Sequence, residues 1–306
     1  MKIKSLLNRF PFGSGIAVLF FSLALLPFSC VEEPVINNPV EEPPPYAALE
    51  KQTREENDWR AVFTWDQYIQ LMTVLTDKKF LVLPLNEMRK TYDSTVVVVG
   101  LRHDIDFHPF KALEMADIEK RFFFRATYFV LATAEYYGTI TNKAALRRPE
   151  MDYVYKELFS KGAEIGIHND LLTLMIIYKC DPLIFTLDEI SHYASLGIPV
   201  YGTAAHGSQI PRDLLVSNYE MFSDFAARDS VTYNGQKYPV GKISLKDCGL
   251  EYEAYHISFY HYYSDSGGKW NDTNGFDGVL DKLRSSKPGD RIQILAHPEW
   301  WGRKKS

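Results

Sequence analysis

The chain has 306 residues, 46% of them apolar and 24% charged, with a formal net charge of −5 and no block of lysine or arginine. That balance is ordinary for a globular chain and argues against a nucleic-acid-binding surface. Aromatic residues make up 14%, including 19 Tyr and 19 Phe, enough to fill a core and to suit an uncharged ligand such as a glycan.

Lys2, Lys4 and Arg9 precede the apolar run Ile16–Phe28, which ends at Ser29-Cys30. The run is shorter than the roughly 20 residues that span a bilayer, so residues 1–29 read as a signal peptide, to be kept out of the fold. A small residue followed by cysteine is similar to a bacterial lipoprotein signal, with Cys30 as the lipidated first residue; an ordinary secretory signal is the alternative. Residues 30–47, with Pro34, Pro39, Pro43, Pro44 and Pro45 among Glu and Asn, have the composition of an extended, disordered tether. The expected location is the bacterial cell envelope, with contact to the membrane through the lipid anchor only. Residues 48–306 then form a single barrel-sized domain. Its two cysteines, Cys180 and Cys248, either pair or remain as buried thiols.

Within that domain Thr64 and Gln67 have the spacing of a capping box, and Tyr68, Leu71, Met72 and Leu75 follow at helical intervals. Phe80–Leu83 reads as a short strand closed by Pro84. The run Val96-Val97-Val98-Val99-Gly100-Leu101 reads as a strand buried on both faces, as in parallel sheets, and ends in Arg102-His103-Asp104-Ile105-Asp106. Helices are expected over 110–121, 151–160 (stopped by Lys161-Gly162) and 183–196 (stopped by Gly197), and strands over 125–131, 163–168, 198–206, 254–263 and 291–296. Alternating strands and helices over this length indicate an α/β barrel or a doubly wound sheet.

Polar residues decide for the barrel. Asp104, Asp106, His168, His206 and His297 all stand at the carboxyl ends of expected strands, the face on which α/β barrels build active sites. Residues two apart on a strand share a face, so Asp104 and Asp106 point the same way and repel each other. Either a cation sits between them, or the pair caps the next helix at a solvated loop. His192, His256 and His261 fall inside expected elements and read as structural.

Six stretches occur in an order that resembles the polysaccharide deacetylase superfamily (the NodB homology domain of carbohydrate esterase family 4), in its H-D-[IV]-D branch. They are His103–Asp106, Ala126–Phe129, Glu164–His168, Ala205–Gly207, Ser264–Trp270 and His297–Trp301. The resemblance implies a distorted (β/α)7 barrel and a divalent metal, most often Zn2+. It makes Asp104 the general base, Asp106 and His168 metal ligands, His297 the general acid and Asp265 the residue that orients it. The implied reaction frees acetate from an N-acetylated (or O-acetylated) polysaccharide. One departure stands out: the family's second metal histidine lies four residues after the first, and here that position is Leu172. His206, followed by Gly207, is the expected replacement, with His108 the runner-up. Trp300, Trp301 and Trp270 are expected as sugar-stacking platforms. Two other functions remain open: a catalytically silent glycan-binding barrel, and a metal-dependent hydrolase of another amide.

Overall fold

The computed structural model describes residues 60–303, which belong to one compact unit. The expected signal peptide, the expected lipidated Cys30 and tether, and the expected domain start at residue 48 lie outside the described residues. After β1 (Phe63–Thr64) comes helix α1 (Trp65–Leu75), closed at its start by the capping box read above, with Gln67 N–H donating to the Thr64 hydroxyl at 3.2 Å and Thr64 N–H to Gln67 at 2.9 Å. There follow β2 (Phe80–Leu83), the single turn α2 (Leu85–Met88), β3 (Val97–Ile105), α3 (Pro109–Arg121) and β4 (Thr127–Leu131). A hairpin of β5 (Gly138–Thr141) and β6 (Ala144–Arg147) precedes α4 (Glu150–Ser160), β7 (Glu164–Asn169), α5 (Leu171–Ile176), α6 (Pro182–Ser195), β8 (Val200–Ala205) and α7 (Gln209–Leu214). A second hairpin, β9 (Ser230–Tyr233) and β10 (Gln236–Pro239), leads to β11 (Tyr252–Glu253), β12 (His261–Ser264), α8 (Gly275–Ser285), β13 (Arg291–Ala296) and β14 (Trp301–Gly302).

One curled parallel sheet carries the order β11-β8-β7-β4-β3-β13-β12. Strand β3 pairs with three others, β2, β4 and β13, and all nine of its residues are buried. β13 runs along one edge of β3, while β2 pairs with Val97–Gly100 on the other edge before β4 takes over from Arg102. The sheet curls far enough for the Gln293 side chain of β13 to donate to the Ala254 carbonyl, just past β11, at 2.9 Å. The result is an α/β barrel-like fold.

Strand alternation divides the residues into two cores. Val97, Val99 and Leu101 face outward into a large apolar cluster with the helices. Val98 faces inward with Leu83, Leu85, Met88, Phe129, Ala204 and Tyr252, a smaller cluster that floors the barrel. Above that floor the inward positions of β3 turn polar, at Arg102 and Asp104.

One sequence expectation changes. The aromatic run 254–263 is not one strand, because the Glu253 side chain accepts the Tyr255 N–H at 2.8 Å and turns the chain into a 3-10 helix, Ala254–His256. β11 and β12 thus end up on opposite edges of the sheet. The loop 132–150 contains the first hairpin, whose turn residues Asn142 and Lys143 have φ of 50° and 65°, a left-handed pair without the glycine that usually advertises it. Cys180 and Cys248 are both free and buried.

Small residues set how closely strands and plug approach. A Cβ on Gly202 of β8 would overlap the ring of Tyr252, itself 5% exposed. Gly202→Ala is expected to cost about 1–3 kcal/mol through overpacking, read as a lower urea midpoint with an unchanged slope. An unchanged midpoint would mean that the ring moves aside freely.

Candidate metal centre

Alternation along β3 sends Arg102 and Asp104 to the barrel interior and His103 to the outside. There His103 Nδ1–H donates to the Ala296 carbonyl at 3.1 Å, and Nε2 lies 2.6 Å from Glu119, which also accepts the hydroxyls of Tyr68 and Tyr128 at 2.5 and 2.8 Å. These contacts bind α1, α3 and β4 to the back of the strand.

Inside, Arg102 grips Asp104 with both prongs, Nε to Oδ1 at 2.8 Å and Nη2 to Oδ2 at 2.7 Å, in a pair that is 0% and 2% exposed. Burial pushes the Asp104 carboxyl up, but the Arg102 and His168 charges outweigh it and hold the group below its ordinary range. Asp106, two residues on, lacks such a clamp. Its Oδ1 is buried and accepts no hydrogen bond.

Two histidines face that oxygen. The β7–β8 register sets His168 opposite Ala204, whose carbonyl accepts its Nδ1–H at 2.9 Å. This fixes the tautomer and aims the Nε2 lone pair inward. His206 directly follows β8, its N–H donating to the Asn169 carbonyl at 2.8 Å and its own carbonyl accepting from Asn218 at 2.7 Å. His168 Nε2 lies 3.2 Å from Asp106 Oδ1 and 3.1 Å from His206 Nδ1, with 3.5 Å closing the triangle between His206 Nδ1 and Asp106 Oδ1. A tetrahedral ion with bonds of about 2.0–2.1 Å places its ligand atoms about 3.3–3.4 Å apart. The separations and the N2O donor set therefore fit zinc, and the orphaned Asp106 oxygen fits a ligand. Burial pushes His206 below its ordinary value, which suits a neutral ligand.

Among the described residues the group of potential ligands is Asp106, His168 and His206. His108 is outside it and forms the N-cap of α3. Leu172 is fully buried on α5. His168 and His206 stand 38 residues apart in the sequence, each at the carboxyl end of a strand.

Next to this group, His297 follows β13 and Asp265 follows β12. His297 Nδ1–H donates to Asp265 Oδ1 at 2.6 Å, and its backbone N–H points at both Asp265 oxygens, 3.0 and 3.1 Å away. Burial alone would depress the imidazole, but the hydrogen bond and charge of Asp265 raise it well above its ordinary value. The ring is thus held as a cation that can donate from Nε2.

The tryptophan readings need correction. Trp301 is 0% exposed, packs on Phe63 and Tyr68, and donates its indole N–H to Asp265 at 2.8 Å. It positions the dyad from behind and has no face for a sugar. Trp270, 5% exposed, lies in the same core. Trp300 alone of the three is half-buried.

Two carboxyls escape the sequence reading. Glu299, 1% exposed, has an Oε2 with no hydrogen-bond partner and is pushed up to about 8 by burial and by Asp106. Glu253 accepts the Ala205 N–H at 2.9 Å and so ties down the end of β8; burial pushes it up to about 7. The position of Glu299 two residues past a strand-end histidine was its only signal.

Comparison of the chain with protein-family models, curated proteins and solved structures returns no match.

Zinc titrated into the protein is expected to bind at one equivalent, with His168→Ala and His206→Ala each weakening it by more than about 100-fold. Burial lowers His168, yet Asp104 and Asp106 hold it above its ordinary value, so the ion must displace a proton. Affinity should rise with pH through that raised value and then level off; calorimetry showing no pH dependence would contradict this. The folded His297 is likewise raised, so its stabilisation is complete below the unfolded value of about 6.5 and is lost as pH rises through the folded value. The loss in urea midpoint caused by Asp265→Asn should therefore be largest at low pH and narrow as pH rises.

Proposed function

We propose that the chain is a metal-dependent deacetylase of an N-acetylated glycan, a member of the polysaccharide deacetylase superfamily carried on a lipid-anchored envelope protein. The observation that carries this reading is the convergence of Asp106, His168 and His206 beside a clamped carboxylate and a carboxylate-held histidine. A divalent ion bound there supplies an acidified water and a polarised carbonyl.

The protein's own groups do the rest. Asp104 Oδ2 lies 3.5 Å from His168 Nε2, next to the ligand triangle. Its low basicity keeps it ionised, and its unused lone pairs would accept a proton from the attacking water. Arg102 holds it in place and stays charged throughout. On the other side His297, charged and oriented by Asp265, donates its Nε2 proton to the departing amine. The split between an anionic base and a cationic acid follows from their different partners, an arginine for one and an aspartate for the other.

A second reading is a silent glycan-binding barrel, favoured by the hold of Arg102 on both Asp104 oxygens. Acetate release from N-acetylglucosamine oligomers by zinc-loaded protein separates the two. In Asp104→Asn and His297→Ala the rate should fall by about 10²–10⁴ while one zinc stays bound. Zinc-loaded protein that releases no acetate, yet binds the oligomers, would establish the silent barrel instead.

A further inference from the structure

His206, one of the three residues of the ligand triangle, also lines a groove of about 610 Å³. Its opposite wall comes from α7 and the segment after it, with Arg212, Leu215, Tyr219 and Glu220, and Tyr255 reaches in from beyond β11. We infer that this groove is a subsite for a carboxylate-bearing sugar unit, with Arg212 as its anion-binding group and Tyr219 and Tyr255 as its stacking walls. The inference rests on the glycan reading above and narrows it, since composition alone suggested an uncharged ligand.

Charge is the first argument. The two charged side chains in the wall are Arg212 and Glu220. Glu220 is 7% exposed and already engaged, accepting from Arg228 Nε at 3.1 Å and capping its own 3-10 turn. Arg212 is exposed, and its Nε–H donates to the Ser208 carbonyl one turn back at 3.1 Å. That bond steadies the stem, while both terminal nitrogens have no carboxylate partner among the described residues. Three other arginines do engage carboxylates, Arg125 with Glu87, Arg147 with Asp188 and Glu189, and Arg284 with Asp281. A planar guanidinium with a free fork is suited to a carboxylate.

Shape is the second. Tyr255 is 36% exposed and its ring sits 4.3 Å from the Arg102 guanidinium, the group that clamps Asp104. Tyr219 lies 6.4 Å away at 54° to it. Two tilted rings in the groove present apolar faces suited to the C–H face of a pyranose. Leu215 at the rim is 85% exposed and has φ of 53°, a backbone region that a bulky non-glycine residue rarely occupies. The chain thus holds an apolar side chain in water at the mouth of the groove.

Sugar carboxylates come as uronic acids or as lactyl ethers, and tetrasaccharides of equal length distinguish them. Binding to the full protein, with metal removed to prevent turnover, is measured for chitotetraose, a hyaluronan tetramer and a lactyl-bearing peptidoglycan tetramer. At least one carboxylated tetramer should bind about tenfold tighter than chitotetraose, the scale of one charge-assisted fork. The preference should shrink with salt and vanish in both Arg212→Ala and Arg212→Gln, whose affinity for chitotetraose is unchanged. Tyr255→Ala should weaken all three. Equal binding of charged and neutral tetramers, or a preference that survives Arg212→Gln, overturns the subsite and leaves the glycan reading standing. Failure of every tetramer to bind removes both.

Discussion

Two carboxylates on one face of one buried strand repel each other, and the arrangement around Asp104 and Asp106 follows from that constraint. The protein answers it differently at each position. Asp104 receives an arginine from its own strand, two residues back and therefore on the same face, and the pair buries as a unit. Removing one half of such a pair leaves a buried charge and costs about 3–5 kcal/mol, so Arg102 and Asp104 are bound to each other as much as to any function. Asp106 receives two imidazoles and no fixed cation. The space among the three atoms has the size of a metal coordination triangle, and in its absence a proton on His168 relieves the same repulsion.

What makes this arrangement rigid is that backbone, more than side chain, aims the ligands. His168 is oriented by a carbonyl that strand register places opposite it, and His206 by a bond to the β7 residue Asn169. Asp265 is held by three N–H groups, two belonging to His297 and the third to the indole of Trp301. Below them the apolar floor of Met88, Phe129 and Tyr252 excludes water. Electrostatic interactions above such a floor act with less screening than at a surface, which is how one imidazole rises and its neighbour falls within a few ångströms. Outside the barrel, His103 and Glu119 lock β3 to α1, α3 and β13, so the strand carrying both aspartates is anchored on both faces.

Much of this was legible in the chain. The β3 alternation placed Asp104 and Asp106 on one side and His103 on the other, because a two-residue period leaves no freedom once the strand is buried. The capping box at Thr64 and Gln67 was legible for a similar reason, since it closes over three residues. Readings that failed depend on longer distances. Trp301 follows a strand-end histidine, yet β14 pairs with β1 some 240 residues earlier in the chain and carries the ring into the core. The aromatic run at 254–263 looked like one strand, but Glu253 bends it and the two halves pair with different neighbours. Glu299 was overlooked because a glutamate near a terminus resembles any solvated charge until its burial is seen.

The sequence by itself determined the alternation of strands and helices, the carboxyl-end position of each polar residue and the inward face of the aspartate pair. All of these are properties of short segments, governed by periods of 2 and 3.6 residues. Only the tertiary structure decided that His206 rather than His108 joins Asp106 and His168, that Asp265 charges His297, and that Arg212 and His206 line the same groove. Each of those depends on which strands become neighbours and how far the sheet curls, and the pairing of distant segments leaves no trace in local periodicity.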